Sequence, residues 1–228
     1  MNISIFDVSG PIMVGPSSSH TAGAVKLARI AAATMKDPFC KVDFALHGSF
    51  AKTYRGHGTD KALLAGVLGI MEDDERIGQA FELANASGLE YDFFEKELDG
   101  VHENSVEIVF YLENGGQHRV VGSSVGGGAI VIRRINEMEL EITALLPTLL
   151  IRHRDEKGVI GNIANLLSES GINIGAMKLS RKARGSEAFC TIETDEQISQ
   201  SLQELICKIP EVYFAQAINP PALGDDYV

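Results

Sequence analysis

The chain has 228 residues, 45% of them hydrophobic, with 31 acidic against 20 basic side chains and a formal net charge of -11. That length admits one large or two small domains with a real core, and the excess of acids argues against a general nucleic-acid partner, because phosphate binding needs clustered Lys and Arg. No apolar run reaches the roughly 18 residues that span a bilayer, and no basic segment followed by an apolar core opens the chain, so a soluble, cytoplasmic protein is expected.

Residues Ile3 to Val8 read as a short lead-in strand, followed by Gly-Pro breakers at Gly10-Pro11 and Gly15-Pro16. Ser17, Ser18, Ser19, His20 and Thr21 come next, and Ala24, Leu27, Ala28 and Ala31 then keep helical spacing. The polar run therefore sits at the start of a helix that begins near Thr21 and ends before Pro38. Unpaired N–H groups of a first turn, with hydroxyls beside them, hold small anions such as a carboxylate or phosphate. No acid occurs between Asp7 and Asp37, whereas Lys26, Arg29 and Lys36 do, so the local field is positive within an acidic protein.

Val42, Phe44 and Leu46 alternate with Lys41, Asp43 and Ala45 in the manner of a half-buried strand. A polar stretch follows, and then an apolar helix over Ala62 to Leu68, for which Thr59 is the expected N-cap with Asp60 in the first turn. His57, between Gly56 and Gly58, is expected on a loop that can approach a ligand closely, repeating the layout at His20. His47, at a strand end, reads as structural. Asp73 and Asp74 cap a helix carrying Ile77, Ala80, Phe81 and Ala84, which Gly88 stops. Strands over Val106 to Leu112 and Gln117 to Ser124 flank a hairpin turn at residues 113–116. His102 to Ser105 precede that hairpin, where side chains can face a cleft, and His118 is expected to be exposed. Gly126 to Gly128 form either an anion-binding nest or a bend between strands. After Ile130 to Ile135 and the acidic segment Asn136 to Glu141, a domain boundary is expected near Thr143.

The second half reads strand (Thr148 to His153), helix (Val159 to Ser170), strand (Ile172 to Leu179), strand (Glu187 to Glu193), helix (Gln197 to Lys208) and strand (Val212 to Ala217). That βαββαβ order is ferredoxin-like, and residues 218–228 read as a tail. With its Asp-Glu-Lys-Gly-Val-Ile turn at 155–160 and Gly-Ile-Asn-Ile at 171–174, it resembles an ACT domain, an amino-acid-binding regulatory module. The resemblance implies that Gly158, Gly161 and Asn162 face a regulatory ligand or a neighbouring ACT domain. Lys157 stands where that family often has proline.

Gly-Pro-Ser-Ser-Ser-His-Thr at 15–21, Gly-His-Gly-Thr-Asp at 56–60 and the triple glycine closely resemble the β chain of bacterial iron-sulfur L-serine dehydratases. The fold class expected is α+β: a mixed α/β domain of the serine dehydratase beta type over 1–143, then the ACT domain over 147–217. The resemblance implies an L-serine ammonia-lyase making pyruvate and ammonia with a 4Fe-4S cluster and without pyridoxal phosphate. Such a cluster is held mainly by cysteine thiolates, and Cys40, Cys190 and Cys207 are badly placed for that. The family's explanation puts the cluster ligands on a separate α chain, this chain completing the active site and being inactive alone. On that basis Ser17, Ser18, Ser19, Thr21, Thr59 and Asn104 bind substrate, and His20 or His57 moves protons. A homodimer through the ACT domains, within an α2β2 assembly, is also implied. Two other readings stand beside it: a non-enzymatic serine or anion sensor, such as pairs with ACT domains in some phosphoglycerate dehydrogenases, and a metal hydrolase using His20, His47 and His57. The second lacks the His-x-x-x-His spacing of zinc sites.

Overall fold

The computed structural model describes residues 15, 17–181 and 183–220. The lead-in strand at Ile3 to Val8, most of the Gly-Pro segment and residues 221–228 of the tail lie outside them. Contacts divide the chain into two compact units, Met1–Glu141 and Ile142–Val228.

In the first unit a π-helical turn, Ser18–Ala22, runs directly into helix α1 (Gly23–Ala33). Ala24, Leu27, Ala28 and Ala31 are all buried on it, as their spacing requires. Strand β1 (Phe39–His47) follows. Beyond it the structure departs from the expected polar stretch, because residues 48–57 form a helix, α2 (Gly48–His57), joined through Gly58 to α3 (Thr59–Val67). Gly58 has φ 69° and closes α2 while opening α3, a left-handed conformation that glycine adopts without steric cost. Phe50 and Ala51 bury α2 against the sheet side, so two apolar residues suffice to hold a helix that composition disguises. Asp74 then caps a 3-10 turn, Glu75–Gln79, that continues into α4 (Ala80–Ser87) and stops at Gly88.

Strands β2 (Glu90–Glu95), β3 (Asn104–Leu112), β4 (Gln117–Gly126), β5 (Ala129–Ile135) and β6 (Met138–Ile142) complete a six-stranded sheet of order β2-β1-β3-β4-β5-β6. β1 and β2 are parallel, with α2, α3 and α4 as their crossover, and β3, β4 and β5 pair antiparallel in sequence. β2 escapes the periodicity because it is a mostly exposed edge strand, pinned by the Phe93 ring stacked on Phe44 at 4.6 Å. β6 hides inside the acidic segment, where buried Met138, Leu140 and Ile142 alternate with exposed Glu139 and Glu141. Gly126, Gly127 and Gly128 all have positive φ in the bend from β4 into β5.

His118 is buried, contrary to expectation. Alternation along β4 puts it on the same face as Val120 and Gly122, opposite Phe110 of β3, where its Nε2 lies 2.8 Å from Thr34 Oγ1 just beyond the end of α1. Leu27, Phe44, Phe50, Leu63, Leu64, Ile108, Phe110 and Ile132 fill the core of this unit with no exposure beyond 1%.

The second unit consists of β7 (Thr148–Arg154), α5 (Val159–Glu169), β8 (Ile174–Arg181), β9 (Glu187–Thr194), α6 (Gln200–Ile206) and β10 (Val212–Ile218). Its sheet has the order β10-β7-β9-β8, all antiparallel, which is the ferredoxin-like arrangement that βαββαβ predicts. Val159, Ile163 and Leu167 on α5 meet Leu202 and Ile206 on α6 and Leu149, Ile151, Cys190 and Ile192 from the strands. α6 begins at Gln200 because Ser199 caps it, its hydroxyl accepting from Leu202 N–H.

Helix α3 packs on α1 at Gly66, where a Cβ would lie 2.3 Å from Val25 O and 2.9 Å from Arg29 N. Those are backbone atoms that cannot swing aside. Gly66→Ala is therefore expected to destabilise the unit by about 1–3 kcal/mol as overpacking. Gly56→Ala on α2, where a Cβ meets nothing within 4 Å, should instead stabilise by up to about 1 kcal/mol. Urea unfolding midpoints of the two variants check the opposite signs.

Candidate functional site

The site is built on the π-helical turn. Ser17 is extended, and its Oγ accepts the backbone N–H of His20 at 3.1 Å while its carbonyl accepts from Thr21 N–H at 2.9 Å. Gly23 N–H reaches back to Ser18 O, the widened ring that defines a π turn, a distortion that occurs mostly at functional places. The turn holds no acid. Ser17, Ser18, Ser19 and His20 are half-buried and Thr21 is buried.

His20 is the centre of the arrangement. Its Nε2 lies 3.2 Å from Ser49 Oγ at the start of α2, and its Nδ1 lies 3.5 Å from Ser17 Oγ. The ring meets Phe50 edge-on with centroids 5.3 Å apart, and His57 with centroids 4.7 Å apart. Burial lowers the His20 pKa below its ordinary 6.5, the neighbouring His57 charge lowers it further, and a hydrogen bond at Ser49 partly offsets both. The imidazole is accordingly neutral at pH 7 and able to accept a proton.

The structure thus brings His20 and His57 into contact, although not by the two matching loops that the sequence suggests. His57 is the last residue of α2 and is exposed. Its carbonyl receives Thr21 Oγ1–H at 3.5 Å. Thr59 is not an N-cap, since left-handed Gly58 occupies that position and α2 leaves no extended residue ahead of α3. The Thr59 side chain is fully buried instead, with an Oγ1 that has no hydrogen-bond partner. Ser124 on β4 is a second such hydroxyl; a Cβ on Gly23 would lie 2.1 Å from its Oγ, so only glycine fits where the turn becomes α1. Asn104, at the start of β3, is half-buried and bridges antiparallel to Gly48. Ser49, Phe50 and Ser124 were not singled out by sequence. The stretch Leu-His-Gly-Ser-Phe at 46–50 carried the signal for the first two, hidden by the misread helix, while nothing local marks Ser124.

His47 accepts Leu98 N–H on Nδ1 at 3.1 Å, a structural use. In the second unit Gly158, Gly161 and Asn162 are exposed at the start of α5. Beside them Asp155 accepts from Gly185 N–H and Arg181, in that order of effect, which holds its carboxyl below the usual range.

An iron-sulfur cluster does not fit the described residues. Cys40 is exposed on β1, whereas Cys190 is in the core of the second unit and burial pushes its thiol up to about 12. No group of three or more His, Cys, Asp or Glu side chains that could hold a metal ion occurs among the described residues. No helix there is long and apolar enough to cross a membrane.

Residues 4–86 match the family described as serine dehydratase beta chain, and residues 147–211 match the ACT domain. The chain is 45% identical over 217 residues to the L-serine dehydratase, beta chain, of Peptoniphilus asaccharolyticus, covering 95% of this chain and 98% of that one. It is 39% identical over 209 residues to the probable L-serine dehydratase, beta chain, of Bacillus subtilis (strain 168), covering 92% and 94%. It is also 24% identical over 204 residues to D-3-phosphoglycerate dehydrogenase of that organism, covering 87% of this chain and 38% of that one.

The electrostatics of the two rings can be read directly. The His20 resonance should titrate with a midpoint below 6.5, and His57→Gln should move that midpoint upward by removing the neighbouring charge. A base held below its ordinary value takes up protons first in the unfolded chain, so this group's effect is to lower stability as pH falls below about 6.5, and to change nothing above. NMR titration of the imidazole signals, with unfolding midpoints at two pH values, checks both signs.

Proposed function

The chain belongs to the family of L-serine dehydratase beta chains, and on that footing we propose that it is one subunit of an L-serine ammonia-lyase, supplying the groups that grip the substrate carboxylate and move its proton. The observation that carries this reading is the neutral His20 imidazole seated on an acid-free turn of hydroxyls. Backbone N–H groups and the hydroxyls of Ser17, Ser18 and Ser19 offer donors to a carboxylate, with the positive end of α1 behind them, and Thr21, whose hydroxyl donates to His57 O, holds the turn in place for it. Thr59, at the start of α3, and Asn104, bridged to Gly48, are assigned to the same substrate. Donors on the carboxylate also stabilise the enolate-like charge that grows as the Cα proton leaves.

His20 is assigned that proton, since the group that accepts it must be unprotonated at neutral pH and able to hold the charge it gains. His57, in ring contact with it, tunes its basicity. Loss of hydroxide then leaves aminoacrylate, which tautomerises and hydrolyses to pyruvate and ammonia without further help. Departure of hydroxide needs an activating group that these residues do not provide. A 4Fe-4S cluster on a separate α chain is the proposed source, with no role for pyridoxal phosphate, and the chain is then inactive by itself. The ACT unit is proposed to pair with its counterpart in a second copy, giving an α2β2 assembly.

The match to phosphoglycerate dehydrogenase favours one rival, a serine or anion sensor that needs no partner. Coexpression with a cysteine-rich α chain under anaerobic conditions separates the two. Pyruvate from L-serine should form only when both chains are present. In that enzyme His20→Asn should lower kcat by about 10²- to 10⁴-fold, and His57→Asn should lower it less while raising the pH at which activity appears. Near-normal turnover in both variants would remove these rings from the chemistry, and L-serine binding with no pyruvate and no co-purifying partner would favour the sensor.

A further inference from the structure

We infer that Glu103 receives the substrate's ammonium group and so selects amino acids over hydroxy acids at this site. The inference rests on the function proposed above. L-Serine brings an ammonium as well as a carboxylate, and an ammonium has three N–H donors and no acceptor. The π-helical turn offers donors and hydroxyls and no acid. An amino-acid site built from it alone would leave that positive charge without a counter-charge.

The fold brings a carboxylate there from far away in the chain. Gly48 bridges antiparallel to Asn104, and Ser49 N–H donates to Glu103 O at 2.7 Å. These two contacts fasten Glu103 beside the residue whose hydroxyl lies 3.2 Å from His20 Nε2. The side chain folds over Gly48, where a Cβ would lie 2.8 Å from Glu103 Oε2. The Glu103 carbonyl lies closer still, 2.6 Å from that Cβ position, and with φ 56° it is this backbone contact that requires glycine at 48. Glu103 makes no side-chain hydrogen bond or ion pair with another described residue, and it is exposed. Asp60, the acid nearest in sequence to His57, is by contrast turned back on its own helix, accepting Lys61 N–H at 2.8 Å.

The pair formed would be charge-assisted, and such contacts discriminate strongly against an analogue that lacks the donor. Glu103→Gln keeps the size and the backbone contact to Ser49 while removing the charge, and Glu103→Asp keeps the charge on a shorter arm. Both are to be measured in the two-chain enzyme, with L-serine as substrate and glycerate, which carries hydroxyl in place of ammonium, as inhibitor. The expected result is a fall in kcat/KM for L-serine on the order of 10- to 100-fold in Glu103→Gln, partial recovery in Glu103→Asp, and glycerate inhibition unchanged or stronger. Unchanged kcat/KM, or equal weakening of L-serine and glycerate, would overturn the inference while leaving the lyase reading in place. Absence of pyruvate from the wild-type two-chain enzyme would overturn the lyase reading itself and the inference with it.

Discussion

One contact between distant parts of the chain governs the first unit's chemistry: the His20 imidazole meeting the Ser49 hydroxyl at 3.2 Å. It joins the turn ahead of α1 to the start of α2 and fixes the ring's direction. Ser17 holds the backbone at one side of His20 and Phe50 closes the ring's flank. The Ser49 contact works against burial and the His57 charge, which hold the ring's pKa down, while it keeps the ring aligned with His57.

Two glycines set the packing around that turn. Gly66 lets α3 lie on α1 at backbone distance, and Gly23 lets Ser124 press against the point where the π turn becomes α1. The buried hydroxyls of Thr59 and Ser124 have no partner. Leaving a buried hydroxyl unpaired is costly, so these two positions carry strain that packing elsewhere offsets. Such local inconsistency is expected where a fold serves a site. In the ACT unit the apolar face is continuous from β7 through α5 and α6, and the buried unpaired atoms there are ring and guanidinium nitrogens of β7, His153 Nε2 and Arg152 Nε.

The acidic balance of the whole chain and the positive character of the turn have separate consequences. A net charge of -11 favours mutual repulsion between copies in solution, whereas the field at His20 is set locally by burial, the Ser49 hydrogen bond and a neighbouring imidazole. Glu103, the acid beside Gly48, is exposed to solvent.

Periodicity and punctuation settled most of the elements. Apolar spacing on α1 and α5, the apolar runs of β1 and β3 and the βαββαβ order of the second half are local properties of the chain, although β1, read as half-buried, is buried on both faces from Val42 to Leu46 because helices and a sheet neighbour cover it. The serine-rich turn was legible for the same reason, as an unpaired helix start written in adjacent residues. Tertiary structure alone decided that residues 48–57 are helical, since only Phe50 and Ala51 among them are buried and their partners come from elsewhere. It alone decided that His118 is inside, that β2 and β6 exist, that Ser49 meets His20, that Ser124 presses on Gly23 and that Glu103 lies against Gly48. Those placements depend on which strand pairs with which and how closely two helices pack, and such long-range contacts leave no period in the sequence to read.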